Sequence, residues 1–79
     1  MTVADRLEKI FLEVLDIRET VDFRALRYNE YRTWNSLAHM TLVAAMESEF
    51  DIIMETEDIL AMSSGEKALE ILARNDVHD

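Results

Sequence analysis

The amino-acid sequence predicts an all-α fold, a bundle of four helices with a long loop between helices one and two and a short third helix. The chain contains no proline and a single glycine, so few residues would interrupt a helix. Hydrophobic residues recur at spacings of three and four, which is typical of helices that bury one face. A length of 79 residues provides enough side chains for one small core. We therefore expect one domain spanning residues 1–79.

The first helix is expected from about residue 3 to residue 15. Thr2 stands immediately before the hydrophobic pattern begins, and threonine is a favourable N-cap because its hydroxyl accepts from a free backbone N–H. The opposite face is charged. The residues expected to face the core are Val3, Leu7, Ile10, Phe11 and Val14.

Residues 16–33 form the long connection. They lack the glycine and proline that mark most loops, and a structureless segment of this length is uncommon in a small domain. We expect a helical turn near residues 23–26 and hydrophobic contacts through Val21, Phe23, Leu26, Tyr28 and Tyr31. Half of the lysines and arginines also lie here: Arg18, Arg24, Arg27 and Arg32. We expect these side chains to be solvated. The alternatives are that they pair with acids of helices two and three, or that they bind a partner.

The second helix is expected to begin at Asn35 or Ser36 and to end near residues 49–52. Asn35 would cap it, since asparagine is among the best N-cap residues. The residues predicted to face inward are Leu37, Met40, Val43, Ala44, Met46 and Phe50.

Two further helices complete the predicted bundle. The third is expected from about residue 55 to residue 60. The last begins at Ser63 or Ser64, and Ser63 has capping-box spacing to Glu66. Its inward residues would be Ala68, Leu69 and Leu72.

Ser36 is the strongest candidate for a functional residue. A serine in the first turn of a helix lies beside backbone N–H groups without intrahelical partners, at the positive end of the helix dipole. A phosphate attached to its hydroxyl would be stabilised there. The alternative is a serine that only helps to cap the helix.

The segment from Trp34 to Leu72 resembles the acyl carrier protein family. Asn35-Ser36-Leu37 stands where the family has Asp-Ser-Leu, and residues 1–33 match in pattern only. The resemblance implies a four-helix bundle of the acyl-carrier type. It also implies that a phosphopantetheinyl transferase attaches 4′-phosphopantetheine from coenzyme A covalently to Ser36. The remainder of the matching pattern is Met40, Val43, Met46, Glu47, residues 49–52, the acidic residues 55–58, Ile59 and residues 62–64.

The same resemblance implies a protein that carries acyl groups as thioesters between enzymes. Trp34 and Ala38-His39 suggest a free-standing carrier of a specialised pathway. Alternatives are a peptidyl or aminoacyl carrier, and an acidic helical interaction module whose serine is never modified. The implied partner-binding residues are Asn35, Leu37, Met40, Glu47, Glu49, Glu55 and Glu57, and the implied acyl pocket is lined by Tyr28, Val43, Met46, Met54, Ile59 and Met62.

Charge is distributed unevenly along the chain, whose net charge is −9. Residues 33–66 hold seven acidic side chains and no lysine or arginine. Such a surface would repel nucleic acid and attract basic patches on proteins. The resemblance implies that these proteins are acyl-loading and acyl-processing enzymes. A surface that serves only solubility is the alternative.

Ser36 and His39 lie one helical turn apart and could suggest a nucleophile with a general base. The sequence offers no orienting acid and no oxyanion-hole motif, so we predict no catalytic residue, and we expect His39 to be exposed or a docking contact. No metal site is predicted. The chain has no cysteine, no leader-like N-terminus and no membrane-spanning stretch. We expect a monomer in the cytoplasm.

Overall fold

The structure, a computed structural model, describes all residues from 1 to 79 and consists of four α-helices and one short 3₁₀ turn. The predicted all-α fold is confirmed, and the only strand-like contact is an isolated bridge between Arg27 and Ser64. None of the helices is both long and apolar enough to cross a membrane. The elements are α1 (Val3–Val14), the 3₁₀ turn (Phe23–Ala25), α2 (Ser36–Phe50), α3 (Thr56–Ala61) and α4 (Gly65–Arg74).

Helix α1 begins with a complete capping box. Thr2 Oγ1 accepts from the Asp5 N–H at 3.0 Å, and Asp5 Oδ2 accepts from the Thr2 N–H at 3.2 Å. The helix buries Val3, Leu7 and Phe11, as its hydrophobic pattern predicts. Both the cap at Thr2 and the inward face of α1 are therefore confirmed.

The core centres on aromatic side chains contributed by α1 and by the loop. The Phe11 ring lies edge-on to the Trp34 ring, with centroids 5.2 Å apart, and 5.6 Å from the Phe23 ring. Phe23 and Leu26 are buried, and the 3₁₀ turn lies where the sequence predicts a helical turn. The long connection is therefore part of the core. Of its other predicted contacts, Val21 and Tyr31 are half-buried.

The arginines of residues 16–33 do not pair with acids of α2 or α3. Their ion pairs join Arg18 to Asp16, Arg24 to Glu66 and Arg32 to Glu19, at 3.3–3.9 Å. All three arginine side chains are more than half exposed. The structure therefore agrees better with the prediction that these arginines are solvated than with the alternative that they pair with acids of α2 and α3. Arg27 forms no ion pair.

Helix α2 ends at a left-handed residue. Asp51 follows Phe50 with a backbone φ of 54° and ψ of 50°, and its N–H donates to Glu47 O. Aspartate and asparagine tolerate this conformation better than other residues with a β-carbon. The turn therefore closes α2 without a glycine.

Helix α4 is capped by Ser64, and the alternative cap at Ser63 is wrong. Ser64 Oγ accepts from the Lys67 N–H at 3.1 Å, whereas Ser63 O accepts from the Tyr28 N–H at 3.0 Å and belongs to the contact with the loop. Gly65 then packs directly on the 3₁₀ turn, because a β-carbon there would lie 1.9 Å from Phe23 O. The helix buries Ala68, Ile71 and Leu72, and Leu69 is half-buried.

Helix α3 differs from the others in how it is held. None of its six residues is buried, and its N-cap residue makes no side-chain hydrogen bond. Met54 before it and Met62 after it are buried and anchor the two ends. The side-chain polar contacts of this segment are from the Met54 N–H to Glu47 Oε2 at 2.9 Å, between His39 Nε2 and Ile59 O at 2.8 Å, and from Arg74 and Asn75 to Asp58 at 2.8 and 3.5 Å.

Candidate functional site

Ser36 is the first residue of α2, and its side chain is exposed. Asn35 caps the helix as predicted, since its Oδ1 accepts from the Ala38 N–H at 2.9 Å. The first turn of α2 contains no acidic residue. A negative group attached to the Ser36 hydroxyl would therefore meet the positive end of the helix dipole and no carboxylate of that turn.

The backbone that leads to Ser36 is fixed by Trp34. This side chain is fully buried, and sequence reasoning missed its place in the core. The Trp34 N–H donates to Tyr31 O at 3.0 Å, and the Asn29 N–H donates to Trp34 O at 2.7 Å. The Ser36 hydroxyl is therefore exposed to solvent, and the backbone that precedes it is held in place by the buried Trp34. A lone tryptophan two residues before a helix start was the available signal for this anchor.

His39 is buried, so the prediction that it is exposed or a docking contact is wrong. Its ring stacks on the Trp34 ring with an interplanar angle of 21°, and it lies 4.8 Å from the Tyr28 ring. The Trp34 indole nitrogen lies 3.0 Å from His39 Nδ1. Because an indole nitrogen can only donate, Nδ1 must accept, and Nε2 carries the proton that it donates to Ile59 O. With both ring nitrogens engaged, His39 has none free to act as a base toward Ser36.

The inward face predicted for α2 is wrong at Leu37, Met40 and Ala44. The Leu37 side chain is 78% exposed and Met40 51%, while Leu42 and His39 occupy the core in their place. Hydrophobic residues surround most of α2, so helical periodicity alone could not select a face. Leu37 and Met40 are exposed beside Ser36, and they therefore have the accessibility that partner binding requires.

Two more exposed hydrophobic residues lie around α3 and were missed from the sequence. Ile53 is 79% exposed and Leu60 80%. Leu60 follows Ile59, whose carbonyl contacts His39, so it lies close to the first turn of α2. Neighbouring residues of a helix point about 100° apart. Ile59 packs partly against the core while Leu60 points to solvent, and helical periodicity alone does not determine which of the two faces inward.

Cations from outside residues 33–66 pair with several of the acids in that segment. Arg6 of α1 binds Glu49 at 2.9 Å, and Glu47 accepts from the Met54 N–H, so two predicted partner-binding acids already make contacts within the chain. Asp58 and Glu66 form ion pairs with Arg74 and Arg24. Three acids form neither an ion pair nor a side-chain hydrogen bond, and all are exposed: Asp51, Glu55 and Glu57.

The residues predicted to line an acyl pocket are only partly gathered. Val43, Met46, Met54 and Met62 are buried, and Ile59 is half-buried. Tyr28 is 37% exposed and packs on His39 and Trp34. None of the clefts in the structure is lined by any of these six residues. An acyl pocket here stays a prediction.

The acidic and histidine side chains do not assemble into a metal centre. No group of three such residues lies close enough together to hold a metal ion.

Three proteins named acyl carrier protein, from strains of Buchnera aphidicola subsp. Acyrthosiphon pisum, are similar to the chain. Those of strains Tuc7 and APS are each 25% identical over 75 residues, which cover 95% of this chain and 94% of the relative. The protein of strain 5A is 27% identical over 70 residues, which cover 89% of this chain and 88% of the relative. Neither a family model nor a solved structure matches the chain. The predicted resemblance to the acyl carrier protein family is therefore confirmed.

Proposed function

We propose that this chain, which is similar to acyl carrier proteins along nearly its whole length, is a carrier protein whose Ser36 receives 4′-phosphopantetheine. The observation that carries the proposal is the position of Ser36, exposed at the start of α2 between the buried Trp34 and the buried His39. The hydroxyl is accessible to a modifying enzyme, and its position is defined by packed residues on both sides.

The modification is a transfer of the phosphopantetheine group of coenzyme A. The Ser36 oxygen forms a bond to the phosphorus that bears the pantetheine, and the pyrophosphate bond of coenzyme A breaks. The serine proton is lost, and adenosine 3′,5′-bisphosphate leaves. The chain contributes no base for this reaction, because His39 directs its ring nitrogens to Trp34 and Ile59. A phosphopantetheinyl transferase acting with Mg²⁺ supplies that chemistry.

The chain fits the product of this transfer. The phosphodiester would be an anion at the N-terminus of a 15-residue helix, whose first N–H groups lack intrahelical acceptors. Asn35 occupies only the N–H of Ala38 with its side chain. The terminal thiol of the arm would hold an acyl group as a thioester. We place this chemistry in the cytoplasm, where reducing conditions keep thiols free.

The docking surface that we propose extends from Ser36 along α2 to α3. It combines the exposed hydrophobic residues Leu37 and Met40 with the unpaired acids. Glu55 and Glu57 have no intramolecular partner, so a basic patch of an enzyme could bind them without displacing an existing contact. Binding Glu49 would first require separation from Arg6. We therefore assign the larger electrostatic contribution to Asp51, Glu55 and Glu57.

Incubation with coenzyme A and a broad-specificity transferase tests the modification. We expect intact mass spectrometry to show one added phosphopantetheine on the native chain and none on Ser36→Ala. Ser48→Ala is the matched control, because Ser48 is an exposed serine of the same helix, and it should be modified at the native rate. A mass gain that persists in Ser36→Ala would refute the proposed site. An unmodified native chain would favour the interaction module.

A charge-reversal experiment tests the docking surface. Replacing Glu55 and Glu57 with lysine should slow modification several-fold, and added salt should slow the native chain in the same direction because exposed charges are screened. The control replaces Glu13 and Glu30 with lysine, which changes the net charge equally at exposed, unpaired acids elsewhere. Equal rates for the two double variants would show that only net charge matters.

A further inference from the structure

We propose that His39 is a positioning residue that fixes α3 against the start of α2, and that Trp34 selects the tautomer in which it does so. Trp34 Nε1 donates to His39 Nδ1 at 3.0 Å, which leaves the proton on Nε2, 2.8 Å from Ile59 O. The three residues therefore form one continuous hydrogen-bonded connection from the loop, through α2, to α3.

The connection is important because α3 has few other attachments. No residue of α3 is fully buried, and only the half-buried Ile59 packs against the hydrophobic core, so the hydrophobic free energy that holds the helix in place is limited. The Asp58 contact with Arg74 involves a largely exposed guanidinium, and such ion pairs contribute little. The bond from His39 is protected by the rings of Trp34 and Tyr28. The remaining side-chain hydrogen bond to α3, from Asn75 Nδ2 to Asp58 Oδ2, is longer, at 3.5 Å against 2.8 Å for the bond from His39.

Breaking this connection should release α3 while the rest of the bundle stays folded. Met54 and Met62 would still anchor the ends of the segment, and α1 and α4 would keep the buried hydrophobic residues that hold them. Because Glu57 and Leu60 lie on α3, the connection would also set their position relative to Ser36. That last consequence rests on the proposed carrier function, whereas the connection itself concerns the unmodified chain.

The tautomer can be measured directly on the full, unmodified chain. We expect ¹⁵N NMR of the His39 ring at neutral pH to show Nε2 protonated and Nδ1 acting as an acceptor. The Trp34 indole N–H should exchange slowly with solvent, since it is buried and hydrogen-bonded. A proton on Nδ1 would overturn the proposal.

Two substitutions separate the two ends of the connection. His39→Asn keeps an acceptor near the Nδ1 position and removes the bond to Ile59, while His39→Gln keeps a donor near Nε2 and removes the acceptor for Trp34. Exchange of the α3 amides should accelerate about 2- to 10-fold in His39→Asn, the change expected for one lost hydrogen bond, relative to α1 amides in the same sample. In His39→Gln the larger change should be in the Trp34 indole signal.

Asp58→Asn provides the control. It weakens the contact of α3 with Arg74 without touching the ring of His39, so the Trp34 indole signal should stay at its native position. The proposal is overturned if His39→Asn leaves the exchange rate of the α3 amides unchanged relative to the α1 amides. It is also overturned if both His39 variants have equal effects on the α3 exchange rates and on the Trp34 indole signal. Because each readout uses the unmodified chain, a failure to accept phosphopantetheine would not affect the result.

Discussion

Helices α1 and α3 are held in the molecule by different kinds of contact. Helix α1 has a capping box and buries Val3, Leu7 and Phe11, whereas α3 has no side-chain cap and buries no residue. Helix α4 resembles α1 in burying hydrophobic residues along one side. The frame of the molecule therefore depends on hydrophobic burial, and α3 is attached to that frame by its flanking residues and by polar contacts. Substitutions should affect the two regions very differently.

The largest effect should come from Phe11→Ala. Phe11 is fully buried against Trp34 and Phe23, and removing such a ring typically destabilises a protein by about 3–5 kcal/mol. The matched change in α3 is Leu60→Ala, which removes an exposed side chain and should alter the free energy of unfolding by less than about 0.5 kcal/mol. Urea unfolding followed by circular dichroism measures both. Similar losses would contradict the contrast between the frame and α3.

An intermediate effect is expected from Gly65→Ala, and its sign is diagnostic. Helix propensity alone would favour alanine by up to about 1 kcal/mol. The new β-carbon would instead overlap Phe23 O and crowd Arg24 Cα, so we expect a net loss of about 1–3 kcal/mol. Ala73→Gly, at an exposed position of the same helix, measures propensity without a clash. If Gly65→Ala raises the free energy of unfolding, α4 does not require close backbone contact with the loop.

The smallest effect concerns the polar contact that closes the long loop. The Tyr31 hydroxyl donates to Glu19 at 2.5 Å, which lowers the pKa of Glu19 below its ordinary value of 4.5 and raises the pKa of Tyr31 above its ordinary value of 10.0. The contribution of Glu19 is present above its unfolded pKa and is lost as pH falls through its folded pKa. The contribution of Tyr31 is present below its unfolded pKa and is lost as pH rises through its folded pKa.

Both groups are exposed, so the pH effect on stability should be slight. Thermal unfolding across a pH series should show both losses in the native chain, whereas in Tyr31→Phe the alkaline loss should be absent and the acid loss smaller, because backbone N–H groups and Arg32 still lower the pKa of Glu19. Tyr28→Phe is the control, because the Tyr28 hydroxyl makes no hydrogen bond, and it should keep the native pH profile. A profile unchanged in Tyr31→Phe would show that this contact does not stabilise the loop.

The sequence predicted best those elements whose hydrophobic residues lie on one side only. In α1 the pattern from Val3 to Phe11 leaves one possible inward face, and Thr2 marks the start. The helical turn in the loop was also predictable, because Phe23 and Leu26 had to be buried somewhere in so small a molecule. The position of Ser36 at the start of α2 followed from the cap at Asn35.

The parts that were predicted wrongly depend on contacts between distant segments. His39 is polar and looked exposed, but Trp34 and Ile59 satisfy both of its ring nitrogens, which removes most of the penalty for burying it. Ser63 and Ser64 are equally good caps by sequence, and the bond from Tyr28 to Ser63 decided between them. Pairing of Glu49 with Arg6 required knowing that α1 packs beside α2.

Asp51 is a residue at which two kinds of selection would favour different amino acids. Its left-handed backbone would suit glycine, which adopts this conformation without a steric penalty, so selection for heat tolerance would favour Asp51→Gly. Selection for partner affinity would retain aspartate, because it is one of the three unpaired acids of the proposed docking surface, at the end of α2 opposite Ser36. We expect Asp51→Gly to unfold at a higher temperature and to be modified more slowly. A variant that gained in both properties would show that these two kinds of selection do not conflict at this position.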